Sequence, residues 1–382
     1  MADIGLNQNL EIASRHFHVQ TVTSVDEGTI RSEIFEKGRL LYVESYKFDR
    51  RGRDDEEGVE KRLRHLVDQF HQSILNEIDS LFEISEKVLK EDEVAPHEKL
   101  GLVSLYMHIF DKAEIHFKKA IEINPEKHST YIYLARCYFL QKRIKLAYKT
   151  LAPLTSRSVL YPDLLNLLGL IMMEERKYIQ SMKYFKEALK QNPKYTEVYM
   201  NLAEALLRRI ILLRGKNKDS EVNTAIRFLK AVFKKITEVG NDDEKKMIVK
   251  LKSALNASGI NKALSLLNEF RDTYYIRRIP PQVIGYEFFL RLRYLPEEMP
   301  IEVLNSYEYK ISEELKRAPQ YPDLWNYLAL IHLMQCRHQF LKGLDDFRKA
   351  TQINPNFEKA NKNLRLVEND GREFLSLINA IV

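Results

Sequence analysis

The sequence predicts a mainly α-helical protein, an array of stacked antiparallel helix pairs preceded by a small antiparallel β-sheet and one long helix. Three observations carry this reading. Apolar and small residues recur at an offset of 34, residues 16 to 48 alternate with a period of two, and an apolar stripe at three- and four-residue spacing runs between Gly58 and Pro96.

The chain has 382 residues, 45% hydrophobic and 30% charged, with only 13 Gly and 12 Pro. This length suits several domains or one extended array, and the composition is that of a folded chain. Cys137 and Cys336 stand in unrelated contexts without C-x-x-C spacing, so neither a disulfide framework nor a thiolate metal site is expected. Asp3 and Glu11 interrupt the stretch from Met1 to His18, which lacks the apolar core of a signal peptide. The apolar run from Leu164 to Met173 is far shorter than the ~20 residues that span a bilayer. The expectation is a cytoplasmic protein in a reducing compartment.

Residues 1–54 read as a small β domain. Phe17, Val19, Thr21 and Thr23 alternate with His16, His18 and Gln20, as in a half-buried strand. Two further strands follow, near Ile30 to Phe35 and Leu40 to Phe48, with turns at Glu27-Gly28 and Lys37-Gly38. The expectation is a three-stranded meander. Residues 55–93 supply the long helix that covers it, with Leu63, Leu66, Val67, Phe70, Ile74, Ile78, Leu81 and Phe82 on one stripe.

Residues 94–240 hold the clearest repeat. Leu100, Leu134, Leu168 and Leu202 are 34 apart, each followed by a small residue: Gly101, Ala135, Gly169 and Ala203. Ala113, Ala147 and Ser181 continue the period, as do Phe117, Leu151 and Phe185, and Asn124-Pro125 returns as Asn192-Pro193 two periods later. Small residues let one helix approach the next, the large residue fills the space beside that contact, and proline stops the second helix. An insertion near 215–224 interrupts the last unit, after which Ala225, Leu229 and Val232 resume the pattern.

Residues 241–318 read as divergent helical repeats, with Ala254, Ala263, Leu267 and Phe270 in one degenerate pair, a break at Ile279-Pro280-Pro281, and a helix from Glu302 to Lys316. Residues 319–382 read as a final repeat, in which Tyr321 to Leu330 copies Tyr161 to Leu170, with two extra residues in the inter-helix turn and Trp325 in the core. A capping helix broken near Gly371 ends the segment.

The stretches Tyr131-Leu134-Ala135-Tyr138-Ala147 and Leu165-Leu168-Gly169-Phe185-Ala188-Pro193 resemble tetratricopeptide repeats, clearly over residues 94 to 214 and again near the C-terminus. Small strand-rich leaders before such arrays resemble those of bacterial proteins. The resemblance implies a superhelical solenoid whose concave groove binds a peptide or partner domain, which makes the chain a non-catalytic interaction scaffold. Groove-lining residues would be Ile132, Arg136, Phe139, Asn166, Leu170, Met173, Met200, Glu204 and Leu207, with Asn326, Leu330 and Leu333 in the last repeat. Some members clamp a C-terminal carboxylate with Lys, Asn and Arg. Ile132 and Met200 stand where that clamp needs polar groups, so chaperone-tail recognition is not expected.

Catalytic motifs are missing from the sequence: it holds no H-E-x-x-H, G-x-S-x-G, phosphate-binding glycine loop or G-x-G-x-x-G. No cofactor or metal is expected, since His16 and His18 share a strand face without a third ligand and His332 and His338 face apart on a helix. Cys137 adjoins Arg136 but lies among packing positions and reads as a structural thiol. A second reading concerns Arg208 to Lys235, where Arg208, Arg209, Arg214, Lys216 and Lys218 lead a basic segment. It would suit an adaptor that touches nucleic acid or an anionic membrane.

Overall fold

The computed structural model describes residues 3–48, 56–156, 161–257, 259–296, 299–317 and 319–381. It divides into two units, Met1–Asp92 with Ile279–Val382, and Glu93–Arg278.

The first unit opens with an antiparallel meander of four strands, in the order β1 (Gly5–Ile12), β2 (Arg15–Ser24), β3 (Thr29–Glu36) and β4 (Arg39–Lys47). The alternation read from the sequence appears in β2, where Phe17, Val19, Thr21 and Thr23 are buried and His16, His18, Gln20 and Val22 are exposed. Gly28 and Gly38 adopt the positive φ (65° and 75°) that their turns require. The sheet has four strands rather than the expected three. Strand β1 escapes sequence reading because it is an edge strand without a buried side chain. Its hairpin turns through Ala13 and Ser14, both at positive φ (50° and 61°), with no Gly or Asn to signal the turn.

Helix α1 (Glu56–Val88) covers the sheet as expected. Leu63 and Val67 pack with Ile30, the Phe82 ring meets Phe17 edge-on at 5.7 Å, and His71 Nδ1 lies 2.7 Å from Thr21 Oγ1. The helices that complete this unit are α12 (Pro281–Tyr294), α13 (Ile301–Arg317), α14 (Pro322–Ile353) and α15 (Glu358–Ile381). Their core joins Phe288, Tyr307, Ile311, Leu324, Leu328 and Ile331.

Three sequence expectations change in this unit. No inter-helix turn divides residues 322–353: α14 runs unbroken for 32 residues, because the extra residues fall among good helix formers and no left-handed residue interrupts them. Trp325 lies on the outside of α14, 52% exposed, with Nε1 donating to the Pro319 carbonyl at 2.9 Å. One residue beyond buried Leu324, it is turned about 100° off the face that Leu324, Leu328 and Ile331 bury. Gly371 does not break α15 either. A Cβ there would come under 3.0 Å from the Phe340 ring, so the glycine serves the close approach of α14 and α15.

The second unit is built from helix pairs: α2 (Val94–Tyr106) with α3 (Phe110–Ile123), α4 (His128–Leu140) with α5 (Ile144–Ser156), α6 (Pro162–Glu174) with α7 (Tyr178–Gln191), α8 (Thr196–Arg214) with α9 (Asp219–Val239), and α10 (Asp242–Ala257) with α11 (Ile260–Arg271). A Cβ on Gly101 or Gly169 would collide with Phe117 or Phe185, which is the small-against-large contact that the period implied. Asn124 and Asn192 cap α3 and α7 in the same way, each side-chain oxygen accepting the N–H two residues on, at 3.1 Å and 3.2 Å.

The backbone repeats as strictly as the side chains. His108, Lys142 and Arg176 all turn through positive φ (57°, 62° and 60°) at an interval of 34. At each, the next residue's N–H returns to a carbonyl of the first helix, as in Lys177 N to Met172 O at 2.9 Å. The next such residue, Asn217, comes 41 residues after Arg176. The insertion near 215–224 is therefore no loop. It lengthens α8 to 19 residues, against 13 for α6, and the connection to α9 is only Gly215–Lys218.

Candidate protein-interaction surface

First helices α2, α4, α6 and α8 lie side by side in the second unit. Helix α6 is apolar around its circumference, and Leu164 to Met173 are all buried. A helix of this kind needs cover on every side. Helix α11 packs against α8, and the π-helical turn that follows it, Asp272–Ile276, brings Tyr275 to α4.

Among the residues expected to line a groove, Ile132 and Arg136 are half-buried on α4, and Phe139, Asn166, Leu170 and Met173 are buried on α4 and α6. Met200, Glu204 and Leu207 are also buried, on α8, at no more than 1% exposure. Asn326 is exposed and Leu330 and Leu333 half-buried on α14, in the first unit.

Several of these groups converge. Asn201 Nδ2 donates to Asn166 Oδ1 at 2.8 Å, and Asn166 Nδ2 reaches Glu197 at 3.4 Å. Glu204 holds Arg208 through Oε1 at 2.7 Å and is ion-paired through Oε2 to Arg271 of α11. Burial lowers the pKa of that guanidinium, an effect Glu197 and Glu174 oppose. Arg136 donates to the Tyr275 carbonyl at 3.4 Å and stands over the Tyr106 ring. Tyr275 donates from its hydroxyl to Glu244 at 2.5 Å, and burial followed by Glu244 pushes its pKa up. The family resemblance singled out Arg136, Asn166 and Glu204 as groove residues, but nothing in the sequence pairs Glu204 with Arg271 or Arg136 with Tyr275, which lie far along the chain.

The basic segment divides. Arg208 turns to Glu204, Arg214 is exposed, and Arg209, Lys216 and Lys218 line a cleft that also holds Glu221, ion-paired to Lys218 at 2.8 Å and Arg209 at 3.5 Å. Cys137 is buried, its Sγ donating to the Phe110 carbonyl at 3.4 Å, and burial pushes its thiol up to about 12. His16 and His18 are exposed on β2, beside Glu11 and Asn9. His332 lies 3.5 Å from Glu308, and His338 meets the Met299 carbonyl at 2.9 Å. Among the described residues, no group of three His, Cys, Asp or Glu could hold a metal ion, and no helix is long and apolar enough to cross a membrane.

Two buried polar groups had no signal in the sequence. In the second unit, His97 and His116 meet through Nδ1 atoms 3.0 Å apart, and burial, helped by His97, brings His116 down to about 3. In the first unit, Lys310 of α13 pairs with Glu77 of α1 at 2.7 Å and Glu44 of β4 at 3.1 Å, while Tyr307 donates to Glu287 of α12 at 2.7 Å. Burial raises Glu44 to about 7 and Glu287 to about 8 against the pull of Lys310.

A family profile described as the tetratricopeptide repeat matches residues 162–195, which are α6, α7 and the turn into α8. No curated protein matches the sequence. Similar solved structures include YrrB, a tetratricopeptide-repeat protein with an unusual peptide-binding site, at 12% identity over 58% of this chain and 96% of its own, with a TM-score of 0.33. TTC0263, a thermophilic tetratricopeptide-repeat protein of Thermus thermophilus, aligns at 15% identity over 63% of this chain and 100% of its own, with a TM-score of 0.31. A tetratricopeptide-repeat protein of Parabacteroides merdae ATCC 43184 aligns at 14% identity over 72% of this chain and 98% of its own, with a TM-score of 0.31. Residues 162–195 thus match a tetratricopeptide repeat, set among helix pairs whose left-handed turns recur at the same interval, and residues 5–47 form a small antiparallel sheet before them.

Proposed function

We propose that this protein is a non-catalytic interaction scaffold that holds a peptide or helical segment of a partner protein against the first-helix face of its repeats. One observation carries the reading: this face already closes on a helix. Arg271 enters from α11 to pair with Glu204, and the Tyr275 carbonyl accepts from Arg136. A buried ion pair, a hydrogen bond to backbone and apolar cover are the chemistry by which a groove grips a helix, and Arg and Tyr are the anchors such interfaces favour. The partner's segment takes the stretch on α4, where Ile132 and Arg136 are half-buried. Met200 and Leu207, buried on α8, serve the packing beneath it.

The test places the photo-reactive residue p-benzoylphenylalanine at Ile132 of the intact chain, and at Lys252 as an off-face control, followed by irradiation in native lysate. The reading expects one protein cross-linked from position 132 and lost when Arg136→Ala is added, with circular dichroism unchanged. Cross-linking that ignores Arg136→Ala, or that arises only from position 252, would refute it.

A further inference from the structure

The repeat departs from its period of 34 from α8 onward, and the lengthening of α8 builds a cleft. Helix α8 runs to Arg214 rather than stopping after 13 residues as α6 does, so its last turns rise beside the α6–α7 turn. The cleft between them has a volume of about 740 Å³. Six cations line it: Arg176, Lys177 and Lys183 from the α6–α7 side, and Arg209, Lys216 and Lys218 from the α8–α9 side. Glu221 is the carboxylate in the lining, and it is shared by Lys218 and Arg209. Lys177 has Glu175 at 2.6 Å. Arg176, Lys183 and Lys216 have no carboxylate within ion-pair distance among the described residues.

The cleft is apolar as well as basic. Ile179 is 59% exposed and Leu212 45% exposed, one on each wall. A second depression of about 200 Å³ adjoins it, sharing Arg209 and Glu221, and there Phe228 is 52% exposed with the Lys186 ammonium 5.0 Å from its ring centroid. Two joined depressions suit an elongated ligand. Exposed aliphatic side chains between unpaired cations suit a ligand that alternates carboxylates with aliphatic groups, because each class of side chain then loses water against its complement. A phosphate backbone would satisfy the cations but leave Ile179 and Leu212 facing charge, and the two tyrosines in the lining, Tyr178 and Tyr184, are half-buried rather than presented for base stacking.

We propose that the cleft between the α6–α7 turn and the lengthened α8–α9 hairpin docks an acidic, amphipathic segment of a partner protein. It is a second surface, separate from the first-helix face on which Arg136 and Glu204 lie.

Fluorescence anisotropy with the full chain tests this. The probe is a fluorescein-labelled 14-residue peptide of alternating Glu and Leu pairs, beside its Gln-for-Glu counterpart and a labelled oligo-dT of the same length. The expected result is binding of the acidic probe at least tenfold tighter than the Gln probe. The triple variant Arg176→Ser, Lys183→Ser, Lys216→Ser should lose at least tenfold, and Leu212→Gln several-fold. A triple variant of equal charge change on exposed positions of α10, Lys245→Ser, Lys250→Ser, Lys252→Ser, should bind as the parent does. All substituted positions are solvent-facing, and circular dichroism verifies the fold. Equal binding of the Gln probe, or equal losses in both triple variants, would overturn the proposal. Tighter binding of oligo-dT lost in the cleft variant would replace the peptide by a nucleic acid. Self-association of the parent that the cleft variant abolishes would replace the partner by a second copy of this chain.

Discussion

Lys310→Met should destabilise the first unit strongly at pH 8 and much less at pH 5.5. The ammonium pairs with Glu77 at 2.7 Å and Glu44 at 3.1 Å, and its side chain is only 10% exposed. At an effective dielectric of about 20, each such pair attracts by about 5–6 kcal/mol before desolvation is subtracted. Removing one partner from a buried pair typically costs about 3–5 kcal/mol, because the remaining charge keeps its desolvation penalty. At pH 8, Glu44, held at about 7, is mostly ionised and Glu287, at about 8, is half ionised, so that most of this cost applies. At pH 5.5 both carboxyls carry protons, and less uncompensated charge is left behind. The parent protein has a pH dependence of its own. A carboxyl whose folded pKa lies above the ordinary 4.5 holds extra protons in the folded state, so stability is greatest below that value and falls as pH rises toward 7 and 8. The slope is at most about 1.4 kcal/mol per pH unit for each group. The variant lacks the cation that pulls these pKa values down, so its decline continues to higher pH and its deficit widens. Because two units need not unfold together, the assay is local: hydrogen exchange of β4, α1 and α13 at both pH values, corrected for intrinsic rates. Lys316→Met, which removes an exposed partner of Glu313 on the same helix, is the control. A loss below about 1 kcal/mol at pH 8, or an equal loss at both pH values, would refute the reasoning.

Gly169→Ala should cost about 1–3 kcal/mol, since the new Cβ would come under 3.0 Å from the Phe185 ring in a packed core; urea midpoints report it. Native protein should expose one fast-reacting thiol to Ellman's reagent, Cys336, while Cys137 reacts only on unfolding, its burial having raised its pKa to about 12. In the second unit the pH response has the opposite sign. His116, lowered to about 3, binds a proton more readily when unfolded, so stability is full above about pH 6.5 and declines as pH falls toward 3. Hydrogen exchange of α2 and α3 should show that decline, and His116→Asn should flatten it.

Much of the fold was legible because its contacts are local and repeated. A residue at one position of a repeat meets the same neighbours in the next, so Leu168-Gly169 against Phe185 repeats the packing of Leu100-Gly101 against Phe117 and leaves a period of 34 in the sequence. The alternation of β2 and the stripe of α1 were equally readable, since burying one face imposes a period of 2 or of 3.6 on the residues themselves. Features without such a period were not. Strand β1 half-buries Leu6, Leu10 and Ile12 on one face, but polar Gln8 interrupts that alternation, and Trp325 sits in a copied motif whose helix buries only one face. Helix α14 is continuous because no residue imposes a left-handed turn.

What the sequence determined by itself was the period, the pairing of small with large residues and the alternation of the sheet, all consequences of which neighbours along one chain must lose water together. Tertiary structure alone decided that Arg271 meets Glu204, that Lys310 gathers carboxylates from β4 and α1, and that a longer α8 opens a basic cleft. The ion-paired groups lie 67 residues apart in the first case and 233 or more in the second, and a contact made once between distant positions leaves no spacing to read.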